Sequence, residues 1–312
     1  MKMIKQLSVI AVVLVTVIFS GCGSSKKTDE TPTRGNIKIS VDESYTLALD
    51  AQVSTFEAIY NYAVINASYK NEVDCFKDLL NDSVRLIIAN RNLTPTEEKF
   101  LQDKQIIPKV TKIAYDALTF IINKENPDSV LQFEQIAGLF SGKIKAWTDL
   151  NKNSKLGDIS IVFDNNKSGN PRYIRDKFKI NNEFPSNCYA VNSNKEVINY
   201  VQKNKGAIGI ISVNWISDPQ DSVSHNFLSK IKVAGVSAEG FTEGPFMKPY
   251  QGYIAEGSYP FIRDVYVINR EYFSGLGTGF ASFIAGEKGQ RIFLKSGLVP
   301  ATMPVRLIEI KK

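Results

Sequence analysis

Apolar residues in this chain follow two periods in turn. Ile37-Lys-Ile-Ser-Val41 alternates at every step, as a strand with one buried face does. After Ser44, the residues Phe56, Ile59, Tyr60 and Ala63 return at helical spacing. Val64 to Tyr69 again reads as a strand, and Cys75, Phe76, Leu79 and Leu80 mark a short amphipathic helix. Val84 to Ala89 is a buried strand. Thr94-Pro95-Thr96-Glu97 then predicts a helix start, with a capping box and proline at the first helical position. Ile113 to Ile122 is a long strand, and Phe133, Ile136, Ala137 and Phe140 share a helix face. A strand follows at Ile159 to Phe163. Ser193 and Glu196 form a second capping box, in a helix that Gly206 closes. Ala207 to Val213 and Arg263 to Asn269 are strands, and Phe280, Phe283 and Ile284 open a last long helix. Strand–helix alternation of this kind predicts parallel α/β sheets. So many strands would overload one small sheet, so two lobes are expected.

The start of the chain is different. Lys2 and Lys5 precede an apolar run from Leu7 to Phe19, broken only by Ser8 and Thr16. A spanning helix needs about 20 apolar residues, and this run has the length of a signal-peptide core instead. It ends in Phe19-Ser20-Gly21-Cys22, which resembles the lipobox of bacterial lipoproteins, with Phe19 in place of the usual leucine. That resemblance implies cleavage and acylation at Cys22. Residues 1–22 are therefore expected to be a lipoprotein signal peptide. Residues 23–36, polar and carrying Pro32, are expected to be a flexible tether.

Composition narrows the chemistry. The chain has 38 Lys and Arg against 32 Asp and Glu, a net charge of +6, which suits an anionic ligand or a membrane surface. The basic residues are scattered, and nothing resembles a nucleic-acid motif. The only histidine, His225, lies in a polar stretch and is expected in a surface loop. One histidine and few cysteines leave no material for a zinc site of His and Cys ligands. Beyond Cys22 there are Cys75 and Cys188, read as two buried free thiols. Ser141-Gly142-Lys143 lacks the upstream glycine of a P-loop.

In α/β sheets ligands sit at the carboxyl ends of strands, against helix N-termini that favour anions. Three corners fit. The first is Phe163 to Pro171, where Ser168 offers a hydroxyl, Gly169 permits close backbone approach, Asn170 is expected to cap the next helix, and Asn165 stands in the loop. The second is Val41-Asp42-Glu43-Ser44-Tyr45, where Ser44 either caps the next helix or binds a ligand oxygen. The third is Asn90-Arg91-Asn92. There Arg91 either forks onto an oxyanion or pairs with Glu72 or Glu43.

Several stretches, in order, resemble the phosphate-binding proteins of ABC uptake systems. Ser141 to Trp147 is similar to their G-K-I-x-x-W segment, and Lys167 to Asn170 to their D-G-S-G-T loop. Gly206 to Gly209 matches G-A-I-G, and Tyr259-Pro260 with Arg263 to Val267 resembles Y-P-L-x-R-x-L-Y-V. Phe283 to Pro300 resembles their C-terminal helix and its exit.

The resemblance implies a two-lobed periplasmic-binding-protein fold of type II. Each lobe would be a mixed, mostly parallel sheet flanked by helices. The expected lobes are 37–118 with 236–312, and 119–235, joined by a two-segment hinge at Ile113 to Asn123 and near Val233 to Val236. It implies a monomeric, lipid-anchored protein of the periplasm or the outer face of the membrane. This protein would capture inorganic phosphate or a similar small oxyanion and deliver it to an ABC permease, without catalysis, metal, cofactor or nucleic acid. Ser44, Ser168, Gly169 and Asn170 carry over as ligand contacts. Arg91 is added for charge, and Glu43, Tyr45, Glu72 and Asn165 are further candidates.

The chain departs from the pattern in four places. Lys70 to Asp74 replaces a Ser-rich loop, Arg91 lies close to the place of the family's aspartate after the third strand, Asn170 replaces threonine, and the arginine that often precedes the ligand loop is replaced near Asp164. Two alternatives stay open: a binder of another small anion or organic acid, and a sensory or structural lipoprotein with a degenerate site.

Overall fold

The computed structural model describes residues 30–216 and 229–304. The signal peptide, Cys22, most of the tether and His225 lie outside them.

The elements run in chain order as β1 (Arg34–Asp42), α1 (Thr46–Ile59), β2 (Tyr62–Lys70), α2 (Glu72–Leu80), β3 (Leu86–Ala89), α3 (Pro95–Asp103), β4 (Lys109–Asn123), β5 (Val130–Leu131), α4 (Phe133–Phe140), α5 (Trp147–Leu150), β6 (Ser160–Phe163), α6 (Gly169–Phe178), β7 (Cys188–Ala190), α7 (Asn194–Lys203), β8 (Ala207–Ser212), β9 (Ile231–Val233), β10 (Gly235–Val236), α8 (Gln251–Ala255), β11 (Ile262–Asn269), α9 (Leu276–Ala285), α10 (Glu287–Lys295) and β12 (Val299–Pro300).

The main sheet has the order β2-β1-β3-β11-β4-β8-β6-β7. Strand β4 belongs to two halves. Its residues Lys109 to Ala117 pair antiparallel with β11, beside the parallel trio β2, β1 and β3. Its residues Leu118 to Ile122 pair antiparallel with β8, which runs parallel to β6. Strand β9 pairs with the end of β4 and β12 with its middle. This is a two-lobed α/β arrangement of mixed half-sheets flanked by helices, each parallel in its outer strands and antiparallel around β4. The half-sheets are near-continuous apolar runs, as strands covered on both faces are: Leu86 to Ala89 and Ala207 to Ser212 are buried at every position. A smaller cluster of Cys75, Phe76, Leu79, Leu93, Leu101 and Ile268 packs α2 and α3 against β3 and β11.

Several expectations need correction. Helix α1 ends at Ile59, and Ala63 is buried as a strand residue opposite Gly35 of β1, because parallel pairing outweighs the local helical period. The expected tether overlaps β1, which begins at Arg34. The last long helix is two helices: Gly286 is extended, and the chain turns so tightly that a Cβ on Gly289 would lie 2.5 Å from the carbonyl oxygens of Phe283 and Ile284. Helix α6 is capped by Ser168, whose Oγ accepts from the Asn170 N–H, so Asn170 and Pro171 lie inside its first turn. The Thr94 box forms in both directions. At Ser193 only the forward bond forms, since the Glu196 carboxylate accepts from the N–H of Asn192. Cys75 and Cys188 are free thiols, but Cys188 is only half-buried. No helix among the described residues is long and apolar enough to cross a membrane.

Candidate functional site

Two strand ends, one from each half-sheet, meet at a common point. Strand β1 ends at Asp42, buried and accepting from the Ser44 N–H at 2.9 Å and from Asn90 Nδ2 at 3.0 Å. Asn90 itself follows the end of β3. Strand β6 leads into Asp164, whose Oδ1 accepts from Ser168 Oγ at 2.7 Å and Asn170 Nδ2 at 2.8 Å. The halves touch where Gly169 meets Asn90. A Cβ on Gly169 would lie 2.0 Å from Asn90 Nδ2, so any other residue would have to displace the Asn90 amide.

Under this contact lies a buried cation. Arg263 of β11 sits directly opposite Asp116 of β4 in the antiparallel register. Its Nε donates to Asp116 Oδ2 at 2.8 Å, Nη2 lies 2.8 Å from the same oxygen without hydrogen-bond alignment, and Nη1 donates to Asn170 Oδ1 at 2.8 Å. Asp116 also accepts from Ser212 Oγ at 2.8 Å and Tyr45 Oη at 3.3 Å. Such bonds offset the cost of burying the ion pair, with only Arg263 Nη2 left without a hydrogen bond. Burial works against the Arg263 charge, but Tyr45, Asp116 and Asp42 outweigh it and hold its pKa above the ordinary value.

Two further bridges cross between the halves. Arg172 of α6 reaches Glu72 at 2.5 Å through Nε, and its Nη2 donates to Asn90 Oδ1. Glu43 lies at the N-terminus of α7, where Asn194 donates to its carboxylate from both the backbone N–H and Nδ2. Burial, then the nearby charge of Glu72, pushes the Asp42 carboxyl up to about 7. Burial, then Asp164, pushes Glu43 up to about 7 as well, and burial raises Asp164.

The expected residues fall into three groups. Ser44, Ser168, Gly169 and Asn170 converge, and the buried Ser44 Oγ has no hydrogen-bond partner. Glu43, Tyr45 and Glu72 border the same contact, as bridges or core groups, while Asn165 shapes the loop by accepting from the N–H of Lys167. Arg91 is the correction. Its guanidinium is forked onto Glu97 at 2.7 and 2.9 Å, donates to the Asn92 carbonyl, and lies 3.4 Å over the Phe76 ring, with Nε 3.6 Å from Glu72. The capping-box carboxylate of α3 recruited it, so the charge near Asn170 comes from Arg263.

Sequence reading missed Asp42, Asn90, Asp116, Arg172, Asn194 and Arg263 as site residues. Asp116 had a usable signal: it is the one charge in the run Ile113 to Ile122, and a charge buried in such a run needs a partner. A cavity of about 610 Å³ lined by Val213, Ile231, Val233 and Tyr250 lies elsewhere and shares no residue with this contact.

Residues 26–288 match the model of the PBP superfamily domain. The chain is 23% identical to the phosphate-binding protein PstS of Staphylococcus saprophyticus, over 86% of this chain and 81% of that one. It is 26% identical to PstS of Staphylococcus aureus over 69% of this chain, a match that spans 63% of that protein. A solved structure of a phosphate ABC transporter substrate-binding protein from Clostridium perfringens, with bound phosphate, superposes with a TM-score of 0.73 at 22% identity, over 86% of this chain and all of that one. The family match spans both half-sheets and both converging corners, and the chain belongs to the PBP superfamily.

Proposed function

We propose that this protein is an extracytoplasmic solute-binding protein that takes up phosphate or a similar small oxyanion between its two halves and delivers it to an ABC-type importer. The reading has the lobes as residues 37–118 with 236–312 and 119–235, and the anchor at Cys22. It assigns the chain no catalytic step.

One observation carries it: two strand-to-helix corners, one from each half-sheet, converge with a buried arginine beneath them. The Ser168 turn opens helix α6, whose dipole favours negative charge, and Arg263 reaches that turn through Asn170. Ser44 Oγ is a buried hydroxyl at the opposite corner. The phosphate-binding names of the relatives support the ligand class.

A thermal-shift screen over small anions tests it. A ligand at 100 times its Kd should raise stability by about 2.7 kcal/mol. A screen in which phosphate, arsenate and organic acids all leave the midpoint unchanged would overturn the proposal.

A further inference from the structure

We infer that Glu72 is an internal competitor of the ligand: its carboxylate takes the Arg172 guanidinium that an oxyanion would take, and the ligand binds by displacing it. The inference rests on the oxyanion reading above and deepens it.

Three arginines stand at or beside the contact between the halves, and they differ in where their partners lie. Arg263 of β11 pairs with Asp116 of the adjoining strand β4. Arg91 is forked onto Glu97, which follows it in the same half. Both ion pairs stay intact when the halves part to admit a ligand. Arg172 is different. Its Nε donates to Glu72 Oε1 at 2.5 Å and its Nη2 to Oε2 at 3.1 Å, a two-pronged fork from α6 across to α2. Its partner within its own half is Asp176, at 2.8 Å, on a largely exposed side chain, and such pairs contribute little. Parting the halves therefore frees Arg172 as a cation. Glu72 keeps Arg91 Nε on its own side, 3.6 Å away.

Glu72 is held as a captured anion is held. Its side chain is 2% exposed, and the fork is the one by which a guanidinium takes two oxygens of a carboxylate or a phosphate alike. It lies hard by the Ser168 turn, because the next residue, Val73, donates its N–H to the Lys167 carbonyl at 3.2 Å. Arg172 Nη2 also donates to Asn90 Oδ1, and Asn90 in turn donates to Asp42 of the first corner. Burial works against the Arg172 charge, and Glu72 outweighs it. Glu72 and an oxyanion cannot both fill this fork, since the second would meet the charge of the first. With solute scarce, Glu72 closes the two halves on each other. With solute in excess, the ligand takes its place.

Titration calorimetry of the purified chain with inorganic phosphate tests this. Glu72→Ala should bind phosphate about tenfold tighter or more than the parent, since the ligand no longer displaces a charged hydrogen-bonded pair. Glu72→Gln keeps the shape, should the alanine variant fail to fold, and should change affinity in the same direction. Arg172→Met, checked for folding by circular dichroism, should lose about tenfold or more. A second measurement needs no phosphate. Acetate can supply the carboxylate that Glu72→Ala lacks, so sodium acetate should raise the thermal midpoint of that variant above its value in sodium chloride of equal ionic strength. The parent midpoint should be the same in both salts.

If the parent binds phosphate and neither Glu72 variant binds it more tightly, Glu72 is only a clamp between the halves; the inference is wrong and the oxyanion reading stands. It is equally wrong if Arg172→Met binds as the parent does, or if acetate leaves a folded Glu72→Ala unmoved. If neither the parent nor any variant binds phosphate, both fall.

Discussion

The two corners of the site share a pattern, an aspartate at the end of a buried strand with a serine shortly after, yet they use it in opposite ways. At Asp42-Glu43-Ser44 the aspartate side chain takes the Ser44 N–H, and the serine hydroxyl is left unpartnered. At Asp164 to Ser168 the serine is itself the helix cap, and its hydroxyl is given to the aspartate. Spacing decides this. Serine follows aspartate by two positions in the first corner, which closes a tight turn around the backbone N–H. It follows by four in the second, enough for the side chains to meet. A serine at a helix start is thus a ready donor for a ligand only where another group does the capping.

The largest effect should come from removing what the two corners share. Arg263 reaches Asn170 of the second corner, and its partner Asp116 holds Tyr45 of the first. Arg263→Met keeps the volume but leaves Asp116 as a buried carboxylate without its cation, which should cost about 3–5 kcal/mol. Urea unfolding would measure it, and a loss under about 1 kcal/mol would mean that the corners stand independently.

Acidity sharpens the comparison next. Asp42 and Glu43, both of the first corner, have ordinary values near 4 in the unfolded chain and about 7 in the fold. The folded state holds protons that the unfolded chain has released, so their contribution is full below about pH 4 and is lost as pH rises through about 7. Asp78 and Glu97, whose pKa values are lowered, act in the opposite sense at lower pH. The window is therefore about pH 5 to 8. Stability there should fall with rising pH by on the order of 5 kcal/mol, and Asp42→Asn should remove about half of that slope. Thermal midpoints across the window would show it; a midpoint that climbs with pH in the parent would contradict the assignment.

The smallest effects separate the serines. Ser168→Ala loses a helix cap and the bond to Asp164, about 1–2 kcal/mol of stability. Ser44→Ala loses no hydrogen bond in the fold and should stay within about 0.5 kcal/mol, while anion affinity drops about fivefold. Equal stability losses in the two variants, measured by urea unfolding, would mean that the corners use their serines alike.

What the sequence made legible follows the same line. Strands such as Val84 to Ala89 and the Thr94 helix start were readable because their signals are local: an apolar run, a cap, a proline. The Ser168 turn and Ser44 were readable as corners for the same reason. Arg91 misled because its partner, Glu97, belongs to the cap of the next helix, so the same carboxylate serves two purposes. Asp116 and Arg263 lie far apart in the chain and acquire meaning only when β4 and β11 pair. Asn90, Arg172 and Asn194 are site residues only through contacts between the halves, which no local pattern encodes.

Strand β11 sits between β3 and β4, yet it enters the chain only at Ile262. In folding, β3 and β4 are joined only when this strand, far along the chain from both, has found its place between them. Until then each presents an unpaired edge that invites wrong partners, and closure depends on contacts of long sequence separation, which form slowly. The delayed strand is also the one that brings Arg263. A chain stopped short of β11 lacks both the seam of its larger half-sheet and the cation that reaches Asn170.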